Sequence, residues 1–456
     1  MQTRVSTSTK TVNPPRVSRH TSCDYAAKTR GGPFSSSYGQ SPSLIWKRGQ
    51  QPSELSNDNI VLPNVGDVKI LIISREAVVG PEIVVDGAIL SNHAIVVEQG
   101  MIQAVVSVQD LAHDISIRNV GPGFLTAGLI DIHTHGAGGH SFSEGDSEAS
   151  QIALTTMLRA GITTVLPTLE SGPIEKLTKG LLAFDALDPK VATPRLPGAH
   201  LEGPYFSQQQ RGAQDPDALR DPSDGSVSRL LELSDKIRMM SFAPELPGAV
   251  ELTRRLCSLG IIAAAGHSDG RDEDLLACQR EGLSHVIHIY SGQSSTIRIG
   301  PWRRPGMLEA TLASEDLTVE MIGDGKHLPT TLMKLAYRCL GERLSLVSDS
   351  TPGAGIPDGS NYRMGERQFL VENGVGVTMD RSAFAGSTTL LSQMIPITMQ
   401  ALQITLPEVI AMATTAPAKA ARLERVGRIS EGYHADFALF DRQLNVQAVA
   451  LGGVWQ

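Results

Sequence analysis

Two histidines one residue apart close an apolar run, Leu129-Ile130-Asp131-Ile132-His133-Thr134-His135-Gly136. On an extended strand, residues i and i+2 share a face, so His133 and His135 project together. Two neutral imidazoles at that spacing suit a divalent cation. Alone, His-x-His is a weak signal, because single histidines are more often satisfied core or surface residues. Three further runs end the same way. His200-Leu201-Glu202-Gly203-Pro204 places Glu202 after apolar residues, where a carboxylate is costly unless paired or ligated. Ala265-Gly266-His267-Ser268 and Val286-Ile287-His288-Ile289-Tyr290 each carry a histidine at the close of an apolar segment. Four histidines and one carboxylate, all at the ends of such runs, predict a centre for one or two divalent ions. A fifth run, Leu346-Val347-Ser348-Asp349-Ser350, ends in an aspartate. A cation-activated water needs a group to take its proton and return it to a leaving amine, and Asp349 is the expected general base and acid. The plainer reading of Asp349 is a helix N-cap before Thr351-Pro352-Gly353.

These residues need a scaffold that brings strand ends together. Between about Leu125 and Arg422, apolar strand-like runs alternate with amphipathic helical stretches. The expected strands are Gly128–Ile132, Thr163–Thr168, Gly198–Leu201, Ile237–Phe242, Ile261–Ala265, His285–Ile289, Thr318–Ile322 and Ser345–Ser348, with helices such as Ser147–Ala160 and Thr330–Cys339 between them. Eight such units predict an α/β fold of the (β/α)8 barrel type, spanning 125–422, with its site at the C-terminal ends of the strands. Short runs flank it: Val68–Ile73, Ala88–Leu90, Ala94–Val97 and Ile102–Val106 before, Asp436–Phe440 and Val446–Leu451 after. Residues 61–124 and 423–456 are therefore expected to form one small β-sandwich from both ends of the chain. Residues 1–60 are rich in Ser, Thr, Pro and Gly, hold scattered Arg4, Lys10, Arg16 and Arg19, and lack an apolar core, so a secretory signal is not expected. That segment reads as a disordered extension or an organellar address.

Bulk properties narrow the function. The 456 residues are 41% hydrophobic and 4% aromatic, with a formal charge of -8, which argues against a nucleic-acid partner. No apolar run reaches the roughly 18 residues that span a bilayer, so no membrane partner is expected. Four dispersed cysteines (Cys23, Cys257, Cys278, Cys339) read as reduced thiols in a cytoplasmic protein.

The motifs Pro122-Gly123, Gly128 to Gly136, His200 to Pro204, Gly266-His267-Ser268, Gly323-Asp324-Gly325-Lys326-His327, Val347-Ser348-Asp349, Ala385-Gly386-Ser387 and Gly432 to Asp436 occur in a fixed order. From about Val68 onward the chain resembles the N-acetylglucosamine-6-phosphate deacetylases of the amidohydrolase superfamily. The resemblance implies hydrolysis of an N-acetyl amino sugar 6-phosphate by a homodimer of barrels, each with a small β-sandwich. It implies a main metal (Zn, Fe or Mn) on Glu202, His267 and His288, and a second metal on His133 and His135 bridged by Glu202. It also implies Asp349 as acid and base, His327 against the sugar, and Arg303 against the phosphate of the neighbouring subunit. Two motifs depart from the family. Arg211-Gly212-Ala213-Gln214 has Gln214 where the family has a histidine, leaving a neutral hydrogen-bond donor. Ser291-Gly292-Gln293 replaces an Asn-Ala-Met run, so Ser291 and the Gly292 N–H are the expected substrate contacts there. The remaining readings are another amidohydrolase reaction, on a cyclic amide or an amino-substituted ring, and a catalytically inactive sugar-phosphate binder.

Overall fold

A computed structural model describes residues 75–365 and 367–456. The expected 1–60 extension and the run Val68–Ile73 lie outside the described residues.

Eight parallel strands form the barrel: β1 (Leu129–Thr134), β2 (Ile162–Glu170), β3 (Ala199–Glu202), β4 (Ile237–Phe242), β5 (Ile262–Ala265), β6 (His285–Val286), β7 (Thr318–Ile322) and β8 (Leu344–Val347). Each pairs with its sequence neighbour, so strand order in the sheet follows chain order. Almost every strand residue is buried, which is why the runs read as near-continuous Val, Ile, Leu and Ala rather than as alternating patterns. The helices between them follow local signals. Helix Ser147–Arg159 begins where the Asp146 carboxylate accepts the Ala149 N–H at 2.9 Å.

The barrel closes only at its mouth. The Asp349 N–H donates to the His133 carbonyl at 2.9 Å, and the His135 N–H donates to Ser350 at 2.7 Å. Lower down, the Ile130 N–H is taken instead by the Ala413 carbonyl, beyond helix Leu406–Met412.

Two further sheets stand beside the barrel, and the second is built from both sides of it in the chain. One orders Met101–Ser107, His93–Glu98, Arg75–Val79 and Ser116–Asn119. The other orders Val454–Trp455, Val446–Leu451, Phe437–Phe440, Phe124–Ala127, Glu82–Val85 and Ala88–Leu90. At its centre Phe437 pairs with Ala127 and Phe440 with Phe124, antiparallel, joining the last part of the chain to the first. The expected boundary at 124/125 falls inside this strand, and the chain passes into the barrel at Gly128, whose N–H donates to the Asp436 carbonyl. Val78, Ile83, Ile95, Ile102, Leu125, Phe437 and Leu439 fill the space between the sheets.

The alternating pattern of β-like runs did not reveal a four-stranded antiparallel sheet, Asn361–Met364, Arg367–Glu372, Val375–Thr378 and Phe384–Ser387, inserted after β8. Its marker is Asn373-Gly374, both at positive φ (55° and 67°) as a type I′ hairpin turn requires. A small hairpin, Ile297–Ile299 with Trp302–Arg304, was likewise unforeseen.

Barrel and sandwich are pinned where Arg195 donates to Asp436 through Nε at 2.5 Å and Nη2 at 3.0 Å, while Asp436 also accepts the Gly452 N–H. Asp436→Ala leaves these donors unpaired and is expected to cost about 1–3 kcal/mol in urea unfolding, with the strand-end cluster of the barrel left intact.

Candidate functional site

Glu202, at the end of β3, is the hub of the barrel mouth and is only 2% exposed. Its Oε1 lies 3.1 Å from His267 Nε2 and 3.0 Å from His288 Nε2. Its Oε2 lies 3.3 Å from His135 Nε2 and accepts from Gln214 Nε2 at 2.6 Å. His133 Nε2 stands 3.5 Å from Oε1. Two groups, His133 with His135 and Glu202, and Glu202 with His267 and His288, each place one ligand atom per residue within 4.8 Å of the others. The structure thus brings together all five residues expected to hold metal. Asp349 joins them, its Oδ1 being 3.3 Å from His135 Nε2 and 3.7 Å from His133 Nε2.

These residues fit a divalent cation on two grounds. The donors are imidazole nitrogens and carboxylate oxygens, a set that Zn, Fe and Mn accept. His133 Nε2 is also buried without a hydrogen-bond partner, and a buried orphan of this kind calls for an explanation such as a missing ion. Burial alone would raise the Glu202 pKa, yet His133, His135 and His267 outweigh it and hold the carboxyl well below its usual range. Burial also works against ionisation of Asp349, and His135 and His133 overcome it, so this carboxyl too lies low.

The backbone is bent to deliver these groups. His267, Tyr290 and Asp349 have φ of 43°, 74° and 45°, a left-handed region that non-glycine residues seldom adopt and that clusters at functional sites. Gly292, at φ 60°, lies so close to His267 that a Cβ would sit 2.7 Å from Nδ1 and 2.8 Å from the Gln210 carbonyl. Only glycine fits there.

Around the cluster opens a cavity lined by Ser291, Gly292, His327, Gln214 and Asp349, together with Phe384 from the inserted sheet. His327 is held by Asp324, whose Oδ2 is 2.7 Å from Nδ1 and also accepts from the Ser387 hydroxyl at 2.9 Å. Burial raises the Asp324 pKa, but its bonds to His327 more than reverse this, to about 2. Gln214 turns inward: its Oε1 accepts the Ser171 N–H at 2.9 Å while its amide nitrogen is on Glu202. Arg303 is not among the cavity-lining residues. It lies on the exposed hairpin beside Trp302, which is 74% exposed.

Three carboxylates of the surrounding layer were given no role in the sequence reading. Glu320 of β7 is fully buried and sits 2.7 Å from His133 Nδ1 and 2.9 Å from His285 Nε2. Asp131 accepts from the Ser348 N–H at 3.2 Å, and Asp324 anchors His327. An acidic residue inside an otherwise apolar strand, as in Thr318-Val319-Glu320-Met321-Ile322, was the available signal.

Comparison with known proteins agrees with this geometry. The amidohydrolase family model matches residues 124–307 and 334–455, and a NagA composite domain model matches 84–122. An N-acetylglucosamine-6-phosphate deacetylase from Vibrio furnissii is 29% identical over 78% of this chain and 88% of its own. An N-acetylgalactosamine-6-phosphate deacetylase from Escherichia coli O157:H7 is 27% identical over 80% of this chain and 94% of its own. The crystal structure of N-acetylglucosamine-6-phosphate deacetylase from Pasteurella multocida superimposes with a TM-score of 0.77 at 26% identity, covering 84% of this chain and 99% of that one. Both the barrel and the flanking sandwich are thus accounted for by one ancestry: the chain belongs to the amidohydrolase family, within its N-acetylglucosamine-6-phosphate deacetylase branch.

Proposed function

We propose that this protein is a metal-dependent deacetylase that hydrolyses an N-acetyl amino sugar 6-phosphate, foremost N-acetylglucosamine 6-phosphate, to the amino sugar phosphate and acetate. The observation that carries the reading is the convergence of Glu202, His133, His135, His267 and His288 beside the Asp349 carboxylate. Glu202, His267 and His288 would hold the main cation, and His133 and His135 a second one shared through Glu202. Zn, Fe or Mn, one or two per subunit, would serve. A divalent cation bound there polarises an amide carbonyl and brings the pKa of a water near neutrality.

The chain's own groups do the rest. Asp349, held ionised at its position next to His135, takes the proton of the attacking water and hands it to the departing nitrogen. His327, fixed through Nδ1 by Asp324, has Nε2 left for a sugar hydroxyl. The Gln214 amide keeps one N–H beyond its bond to Glu202, enough to donate to a carbonyl oxygen. Ser291 and the Gly292 N–H border the same cavity and suit a phosphate or sugar oxygen.

Arg303 would meet the phosphate of a second copy in a homodimer, since an arginine fork matches phosphate geometry. In support, its hairpin exposes Ile299 and Trp302, apolar surface suited to burial against another subunit. Among the described residues no lysine lines the cavity, so the carboxylated lysine that bridges metals in many cyclic amidases has no counterpart. No helix among the described residues is long and apolar enough to cross a membrane.

Acetate release measured on N-acetylglucosamine 6-phosphate, N-acetylgalactosamine 6-phosphate and the unphosphorylated sugars tests the reading. Turnover of a phosphorylated substrate, and little of the free sugars, is expected; none on any of them rejects the proposal. Asp349→Asn should lower kcat by about 10²–10⁴ while cation content per chain stays at the wild-type level. Removal of the cation by a chelator should abolish turnover, and Zn, Fe or Mn should restore it.

A further inference from the structure

Glu320 has no solvent exposure, and no step described above uses it. Its two oxygens gather three donors from two other strand ends. Oε2 lies 2.7 Å from His133 Nδ1 and accepts the His288 backbone N–H at 3.2 Å, while Oε1 lies 2.9 Å from His285 Nε2. His133 belongs to one of the two cation-holding triads and His288 to the other. One carboxylate therefore backs a member of each.

An imidazole can ligate a cation only through a nitrogen that carries no hydrogen, and an acceptor on the other nitrogen decides which one that is. With Nδ1 directed at Glu320, the His133 lone pair belongs to Nε2, the buried atom that has no partner and stands 3.5 Å from Glu202 and 3.7 Å from Asp349. His135 lacks such support: its Nδ1 is 3.7 Å from the Glu170 carboxylate, beyond hydrogen-bond reach. Within the His-x-His pair, orientation is thus imposed on His133 alone. The neighbouring strand positions Val319 and Met321 are apolar and fully buried, so a charge in the same strand is expensive and is offset only by these three donors.

We propose that Glu320 is a positioning residue, which fixes the His133 ring with Nε2 turned toward Glu202 and Asp349 and thereby makes the His133, His135 and Glu202 triad competent to hold a second divalent cation. This rests on the hydrolase reading above and concerns the chain's affinity for the ion, separately from turnover. Glu320→Gln is the informative substitution. It keeps the size of Glu320 and an oxygen for His133 and His288, with NH₂ facing a His285 of the other tautomer, but it removes the negative charge that both holds the His133 ring firmly and raises the basicity of its Nε2.

Metal-stripped protein is titrated with Zn²⁺ by calorimetry, and bound zinc per chain is counted. The expected result is two zinc ions in the wild type. In Glu320→Gln the weaker position should lose about 10–100-fold in affinity, while the position of His267 and His288 stays within about threefold. His133→Ala should remove the same position, and adding Glu320→Gln to it should weaken zinc binding no further, because residues acting through one another are not additive. Glu320→Asp, with its charge retained on a shorter stem, should fall between; it also stands in for Glu320→Gln if that variant does not fold.

Unchanged binding in both Glu320 variants overturns the inference. So does an equal loss at both positions, which is the mark of a carboxylate that merely ties strands together. A wild type that holds one zinc and is indifferent to His133→Ala overturns it too. Wild-type protein that takes up none of Zn²⁺, Fe²⁺ and Mn²⁺ removes the hydrolase reading itself, and a zinc-binding wild type with indifferent Glu320 variants removes this inference alone.

Discussion

A carboxylate buried at the end of β3 sets the terms for the whole barrel mouth. Glu202 is almost sealed from water, and an isolated charge in such a place costs far more than a surface one. It is tolerated because imidazoles from β1 and from the segments after β5 and β6 converge on its two oxygens, with Gln214 closing the remaining approach. Remove that convergence and the residue has no reason to be there. The parallel strands exist, in this sense, to bring donors distant in sequence within a few ångströms of one another.

Much of this was legible in the residues. A parallel barrel buries both faces of each strand, so its strands announce themselves as solid apolar runs, and Ile237–Phe242 and Thr318–Ile322 coincide with the observed β4 and β7. A polar residue at the end of such a run stands out because nothing else polar belongs there, which is how Glu202, His267 and His288 were singled out as candidate ligands and Asp349 as the candidate base. Other parts were hidden for physical reasons. The inserted sheet 361–387 mixes polar and apolar residues as a half-exposed antiparallel sheet must, and only Asn373-Gly374 betrays it. Glu320 was overlooked because it lies within a strand rather than at its end. The inward turn of Gln214 onto Glu202 and the Ser171 N–H follows from three-dimensional proximity that no spacing encodes.

The departures from the family pattern acquire a meaning from these contacts. Gln214 does not leave a gap where a histidine would be; it ties the loop before Asp215 to the hub carboxylate and to the end of β2. Ser291-Gly292 brings backbone close to His267, at a position where Gly292 cannot carry a side chain. Both positions border the cavity beside the histidine cluster.

The barrel's closure has a consequence for how the molecule is made. The bonds that shut it run between His133 and Asp349 and between His135 and Ser350, and the adjoining Thr134 and Ser350 hydroxyls meet across 216 residues of chain. Such long-range contacts form late, because the entropy of bringing distant segments together must be met first. The two histidine triads on Glu202 lie along one continuous run of paired strands, whereas Asp349 reaches them only across this closure. An open sheet can therefore gather the histidines around Glu202, and the step that turns it into a ring is the one that adds the Asp349 carboxylate beside them.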